Sequence, residues 1–233
     1  MPIDKSLAKK AFAEFLGMTM FVYIGTGAVV STGEQLASSA APTAASVARV
    51  LPISFAFGMS IMVQAFSFGH ISGGHFNPAV SFFMYLIDKI KLDQFLCFVA
   101  AQIAGAFMGS LLLWGSVSGM SEDRSSVQEQ VIGSPPFNLG ANGLNAALSP
   151  GNGFLLELMG TFLLCMAVMM TTQHSNSLSQ GAPHMAPLAI GFAVFLAHVV
   201  LVPLTGCGIN PARSLGKTRY TSFFLSLSVE LCD

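Results

Sequence analysis

Long apolar runs separated by short polar segments make up most of the chain. Five runs approach or reach the roughly 20 residues that a helix needs to cross a bilayer. They are Ala11–Val30, Val50–Phe68, Phe95–Trp114, Phe154–Met170 and Pro187–Leu204. The pattern predicts five membrane-spanning α-helices.

The connecting segments are polar or rich in glycine and proline. The longest, residues 116–153, contains Pro135-Pro136 with several glycines and asparagines, and we expect an irregular surface loop there. Two glycine-rich segments, Gly69–Phe76 and Thr205–Ile209, lead directly into Asn-Pro dipeptides. We expect both to be non-helical.

The second half of the chain repeats features of the first. Asn77-Pro78-Ala79 recurs as Asn210-Pro211-Ala212, and Glu14-Phe15-Leu16-Gly17 recurs as Glu157-Leu158-Met159-Gly160. Each Asn-Pro-Ala is also preceded, 19 residues earlier, by an intramembrane glycine, either Gly58 or Gly191. Since three crossings precede the second copy, the two halves have opposite orientations in an inverted repeat.

We therefore divide the chain into four parts. Residues 1–115 form the first repeat, with three spanning helices and the Asn77 segment, and residues 116–153 form an extracellular connecting loop. Residues 154–216 form the second repeat, with two spanning helices and the Asn210 segment, and residues 217–233 form a divergent tail.

The two Asn-Pro-Ala copies predict two short helices that enter the membrane without crossing it. Asparagine is a strong N-cap and proline suits the first helical position. Neither Pro78–Ile87 nor Pro211–Gly216 is long enough to span. The two short helices enter from opposite sides of the membrane, so their N-termini meet near its middle. The positive ends of the two helix dipoles there oppose cations and protons. The asparagine amides of Asn77 and Asn210 can then donate hydrogen bonds to a passing water, which interrupts a proton relay.

Composition places the chain in lipid. It is 53% hydrophobic and 9% charged, whereas soluble domains carry about 25% charged residues. The net charge of −1 gives no basic face for nucleic acid. Four cysteines without ligand spacing predict neither a disulfide framework nor a metal site.

The distribution of basic residues predicts a cytoplasmic N-terminus. With that orientation Lys5, Lys9, Lys10, Lys89 and Lys91 lie inside. Arg49 and Arg124 lie outside, as the positive-inside rule favours. The chain is then a multi-pass integral membrane protein.

Both signature segments resemble those of the aquaporin, or major intrinsic protein, family. The segments are Gly69–Val80, which reads GHISGGHFNPAV, and Thr205–Ser214, which reads TGCGINPARS. The resemblance covers about Ala11 to Gly216 and implies an all-α membrane fold of spanning helices with two re-entrant half-helices. It also implies a channel rather than an enzyme, no cofactor, water as permeant and a homotetramer.

By the same resemblance, the family's narrow selectivity ring falls on Phe57, His198, Cys207 and Arg213. This set is similar to that of water-selective members, whereas glycerol-conducting members usually have a small residue in place of the histidine. Each residue also has an ordinary reading. Arg213 could be a loop charge, His198 could make a structural hydrogen bond, and Phe57 and Cys207 could be packing residues.

Glu14 and Glu157 are carboxylates within apolar helices, where charges are costly and rarely accidental. They could relay protons, but we favour a structural role in which each accepts hydrogen bonds from a non-helical loop, as the resemblance also implies. His75 either braces its loop or lies at the pore mouth, and a pH-sensing role is open.

After Gly216 the family pattern is expected to stop, and Tyr220–Leu231 is too short to span. By internal symmetry a sixth spanning helix is missing. Three functions then compete: a water channel, a facilitator of glycerol or small neutral solutes, and a truncated non-conducting subunit that regulates full-length relatives.

Overall fold

The computed structural model describes residues 4–32, 44–117, 139–173 and 182–218. These ranges contain seven α-helices. They are α1 (Lys5–Thr32), α2 (Ala44–Ser72), α3 (Pro78–Leu86), α4 (Leu92–Val117), α5 (Pro150–Thr172), α6 (Ala182–Thr205) and α7 (Pro211–Thr218).

The five predicted spans are confirmed by the long helices. α1, α2, α4, α5 and α6 are each long and apolar enough to cross a membrane. Each extends beyond its apolar run at both ends, because polar residues in the outer turns still make helical hydrogen bonds. The fold is therefore all-α, as expected.

Short helices begin directly after both asparagines. Asn77 has an extended backbone and its Oδ1 accepts a hydrogen bond from Ala79 N at 2.8 Å, which is N-cap geometry. Asn210 Oδ1 accepts from Arg213 N at 3.3 Å. α7 continues to Thr218, two residues into the segment that we assigned to the divergent tail. Residues 219–233 of that tail lie outside the described residues.

Three predicted boundaries are wrong. Thr205, assigned to the second non-helical segment, is the last residue of α6. Residues 69–72 are helical, because α2 continues to Ser72 and Gly73 N still donates to Gly69 O at 2.9 Å. α5 begins at Pro150 instead of Phe154, since Ser149 and Asn152 form a reciprocal capping box that starts the helix inside the predicted loop.

The two repeats meet where α2 crosses α6. The paired glycines Gly58 and Gly191 lie against each other there, and a Cβ on Gly58 would be 2.7 Å from Gly191 O. The α1–α4 contact is equally close, because a Cβ on Gly105 would be 2.4 Å from Phe15 O. These contacts let backbones approach and fix the helices around the two short ones.

One side of the second repeat is open among the described residues. A groove of about 450 Å³ is bordered by α3, α5 and α7, and Glu157, Thr161 and Ser214 line it. In the first repeat α4 packs on α1 and also contacts α7 and α3. Among the described helices none covers the groove side of α5 in the corresponding way.

Candidate pore

Asn77 and Asn210 face each other across the two signature loops. Asn77 Nδ2 donates to Ile209 O at 2.8 Å, and Asn210 Nδ2 donates to Phe76 O at 2.8 Å. Each side-chain amide has two N–H groups, and each asparagine uses one of its two in this reciprocal pair of hydrogen bonds. The other N–H of Asn210 has only the weak acceptor Met18 Sδ, at 3.8 Å. One amide N–H per asparagine therefore remains for another acceptor.

A narrow cavity lies against both asparagines. Its volume is about 20 Å³, enough for about one water molecule. Its polar lining comes from Asn77, Asn210 and His75. Its apolar wall comes from four long helices and includes Phe21, Ile61, Leu164, Val168, Ile190 and Val194. The cavity therefore combines a polar spot with an otherwise apolar wall.

The loops before the asparagines share one backbone conformation. Positive φ angles occur four, three and one residues before each asparagine, at Gly73, Gly74, Phe76, Gly206, Cys207 and Ile209. Positive φ is uncommon outside glycine, and for a bulky or β-branched residue it is an outlier that its surroundings must hold. The sequence repeat is therefore also a repeat of an unusual conformation.

Glu14 holds the first loop. Its Oε1 accepts from Ser72 Oγ at 2.6 Å and from His75 N at 2.9 Å. Its Oε2 accepts from Phe76 N at 2.6 Å and from Gln102 Nε2 at 2.8 Å. The carboxylate is fully buried. Four donors compensate the lost hydration of the carboxylate, as a buried charge requires.

Glu157 holds the second loop in the same way. It accepts from Gly208 N at 2.9 Å, from Ile209 N at 2.7 Å, and from the hydroxyl of Thr205. Unlike Glu14, it is only half-buried and borders the open groove. Among the described side chains none plays the part that Gln102 plays at Glu14.

The glycine three residues after each glutamate makes room for the loop. A Cβ on Gly17 would lie 2.2 Å from Phe76 Cε1, and a Cβ on Gly160 would lie 2.8 Å from Ile209 Cγ2. The Glu-x-x-Gly repeat thus combines an acceptor for the loop amides with space for the residue that precedes each asparagine.

Phe57, His198 and Arg213 come together from α2, α6 and α7. The rings of Phe57 and His198 stack with centroids 4.3 Å apart, and Arg213 Cζ lies 5.3 Å from the Phe57 centroid. His198 Nδ1 lies 2.8 Å from Val194 O. A carbonyl can only accept, so Nδ1 carries the hydrogen and Nε2 of the neutral ring is an acceptor. Nε2 has no partner among the described residues.

Arg213 is buried and held by three acceptors. Nη1 donates to Asn142 Oδ1, and Nη2 donates to Gly140 O at 3.1 Å and Gly206 O at 3.3 Å. Its Nε has no partner within the described part of the chain. Three of the five guanidinium N–H groups are used, so the cluster offers Nε–H and the second Nη1–H of Arg213 as donors beside one acceptor, His198 Nε2.

The remaining predicted site residues lie in the loops. Cys207 is fully buried three residues before Asn210, with its N–H donating to Thr205 Oγ1 at 3.2 Å. The ring of His75 is nearly buried and packs edge-on against Phe98, with Nδ1 3.0 Å from Ser81 Oγ. His75 therefore contacts protein on several sides as well as the cavity.

Sequence reasoning missed several residues that hold this arrangement. Ser72 and Thr205 each lie five residues before an asparagine, a repeat that could have been noticed. Gln102 is an isolated amide in an apolar helix, which is also a signal. Asn142 had no sequence signal, since a loop asparagine is common.

Comparison with known proteins identifies the family of the chain. The family model described as Major intrinsic protein matches residues 3–226, which extends beyond Gly216, where we expected the family pattern to stop. Aquaporin PIP2-5 of Oryza sativa subsp. japonica is 38% identical over 91% of this chain and 71% of its own length. Aquaporin-1 of Ovis aries is 35% identical over 91% and 71% respectively.

Among solved structures, the aquaglyceroporin from Plasmodium falciparum shares the fold with a TM-score of 0.73. It is 23% identical, over 96% of this chain and 82% of that one. With five apolar spanning helices and a family match along nearly its whole length, this chain is a multi-pass membrane protein. It belongs to the major intrinsic protein family, whose members are channels and not enzymes.

Proposed function

We propose that this chain is a passive channel selective for water. The observation that carries the proposal is the reciprocal pair Asn77 and Asn210 beside a cavity of about one water molecule. The relatives named aquaporins at 35% and 38% identity support water as the permeant. Pore width, lining donors and half-helix dipoles are sufficient to select in such a pore.

In this mechanism the asparagine pair interrupts proton transfer. One N–H of each amide braces the opposite loop. The other N–H is the donor that this mechanism assigns to the oxygen of a passing water. A water whose lone pairs both accept from protein cannot also accept from the next water. The N-termini of α3 and α7 add roughly half a positive charge each. Cations and hydronium ions are therefore opposed at the same place.

Phe57, His198, Cys207 and Arg213 form the proposed selectivity ring. Arg213 donates a hydrogen bond and His198 Nε2 accepts one. A water that enters the ring can therefore replace the hydrogen bonds that it made to other waters outside. The stacked rings of Phe57 and His198 limit the width. Pro78, Ala79, Pro211 and Ala212 form the starts of the half-helices, and Glu14, Glu157 and His75 support the loops.

We further propose that the N-terminus is cytoplasmic and that the chain assembles as a homotetramer. The lysines near the N-terminus and at residues 89 and 91 support that orientation. The conduction path proposed here lies within one chain, so tetramer formation adds no residue to the pore.

Stopped-flow swelling of proteoliposomes tests the proposal. The reconstituted chain should raise osmotic water permeability well above that of empty liposomes, with no increase in proton flux under a pH gradient. Correctly inserted protein that swells at the rate of empty liposomes would mean that the chain does not conduct.

Glycerol facilitation is the nearest alternative. The aquaglyceroporin neighbour shows the shared fold alone and gives no argument about substrate. The buried His198 ring in the proposed selectivity ring favours water. Swelling in a glycerol gradient separates the two, because a facilitator takes up glycerol at a rate comparable to water under matched conditions.

A non-conducting regulatory subunit is the second alternative. In such a subunit the groove beside Glu157 would be the surface that contacts a full-length relative. Co-purification with a full-length relative, together with absent conduction by the chain alone, would support this function.

A further inference from the structure

The segment over residues 139–148, here called the strap, lies against the second signature loop. Gly143 N donates to Thr205 O at 3.2 Å, and Asn145 N donates to Leu204 O at 2.8 Å. The contact is close, since a Cβ on Gly206 would be 3.0 Å from Asn142 Cα. The strap therefore runs directly over the end of α6 and beside Arg213.

The strap supplies two of the three acceptors that hold Arg213. Gly140 O and Gly206 O both bind Nη2, whereas Asn142 Oδ1 binds Nη1. Both bonds to Nη2 are long, at 3.1 and 3.3 Å, so they hold only one arm of the guanidinium fork, and weakly. Asn142 holds the second arm of the fork and so fixes the plane.

The Asn142 side chain has no other structural task within the described residues. Its Nδ2 is buried without a hydrogen-bond partner there, and its Oδ1 bonds to Arg213. Asn145, three residues later, makes ordinary strap contacts instead: Oδ1 accepts from Ala147 N and Nδ2 reaches Pro203 O. The two asparagines differ in function although they share one segment.

We propose that Asn142 is a positioning residue that fixes the Arg213 guanidinium and thereby sets the size limit of the pore. The proposal rests on the water-channel function proposed above. Without the Asn142 carbonyl, the buried Nη1 loses its acceptor, only the two long bonds to Nη2 hold the guanidinium, and its free arm shifts. The ring that Arg213 forms with Phe57 and His198 then widens and admits larger neutral solutes.

The experiment compares glycerol and water permeability of the full chain in proteoliposomes. Asn142→Ala removes the acceptor and should raise the glycerol-to-water permeability ratio roughly tenfold, equivalent to about 1.4 kcal/mol in relative barrier. Asn142→Asp keeps an oxygen at the same position and should retain the wild-type ratio. Asn145→Ala is the matched control and should lower thermal stability without changing the ratio.

The outcomes separate this inference from the function on which it rests. A conducting wild type with an unchanged ratio in Asn142→Ala overturns the inference alone. A ratio raised equally by Asn145→Ala or by Asn142→Asp also overturns it, because the effect would then belong to the strap in general. A non-conducting wild type overturns both proposals. If Asn142→Ala does not fold, Asn142→Ser, whose hydroxyl is too short to reach Nη1, replaces it with the same expected rise.

Discussion

Among single residues, His198 has the clearest expected effect on selectivity. Its ring stacks on Phe57 and is buried, so His198→Gly removes both a wall and the acceptor Nε2. We expect the glycerol-to-water permeability ratio to rise about tenfold or more, a modest barrier change of about 1.4 kcal/mol. Swelling assays in water and glycerol gradients measure it.

The control is His184→Gly, which removes an exposed histidine from the start of the same helix. It should leave the ratio unchanged. An unchanged ratio in His198→Gly itself would place the narrowest point elsewhere in the pore.

Cys207 gives a second residue-level prediction. Its thiol is buried in the loop that also contributes Gly206 O to Arg213. A mercuric ion binds thiolates strongly because both are soft, and an ion attached here occupies the passage. We expect mercuric chloride to abolish most of the water permeability of the wild type. The water permeability of Cys207→Ser should be unaffected by mercuric chloride.

The matched controls are Cys97→Ser and Cys165→Ser, which change half-buried thiols of α4 and α5. Both should remain sensitive. Inhibition that survives in Cys207→Ser would show that the thiol does not face the conduction path.

At the level of elements, the glycines of α1 and α5 decide how closely the loops approach. Gly→Ala in a helix interior gains about 1 kcal/mol of helix propensity, while overpacking costs about 1–3 kcal/mol. At Gly17 the added methyl meets three atoms of the buried Phe76 ring at 2.2–2.8 Å, whereas at Gly160 it meets two single methyl carbons, Leu201 Cδ1 at 2.5 Å and Ile209 Cγ2 at 2.8 Å. Gly17→Ala should therefore lower thermal stability in detergent more than Gly160→Ala does.

Gly27→Ala is the control on α1, because its nearest neighbour is Leu113 Cδ1 at an ordinary 3.5 Å. It should leave stability unchanged or raise it by about 0.5–1 kcal/mol. Equal loss in all three variants would contradict the proposed role of loop approach.

The helices themselves were predictable because their signals are local. Apolar runs set the five spans, and the capping chemistry of Asn77 set the start of α3. The C-terminal end of α2 was not predictable, because the glycine content of residues 69–72 suggested a loop there. The helix continues there and places Ser72 where it bonds Glu14, a residue distant in sequence.

The same distinction applies to the pore. The repeated Asn-Pro-Ala made both asparagines visible, since the signal lies within a few residues. The partners Gln102 and Asn142 were invisible because their roles depend on which side chains face Glu14 and Arg213 after folding. Single-sequence reasoning identifies a group with unusual chemistry more readily than the ordinary residue that orients it.

For the whole molecule, the inverted repeat predicts which surfaces share a side of the membrane. On this prediction α1 and α2 cross in opposite directions, the segment with α3 returns to the side from which it entered, and α4 crosses again. Lys5 and Lys89, both exposed, then lie on one side and Ala147, in the strap, lies on the other. The positive-inside rule assigns the lysine side to the cytoplasm.

Single cysteines at these three positions, in a chain whose native cysteines are replaced by serine, test the arrangement with a membrane-impermeant maleimide. In intact cells Ala147→Cys should be labelled, whereas Lys5→Cys and Lys89→Cys should react only after permeabilisation. The reversed pattern would keep the inverted repeat and overturn the cytoplasmic N-terminus. Labelling of Lys5→Cys without Lys89→Cys would break the repeat itself, because α1 and α2 could not then both cross while α3 turns back.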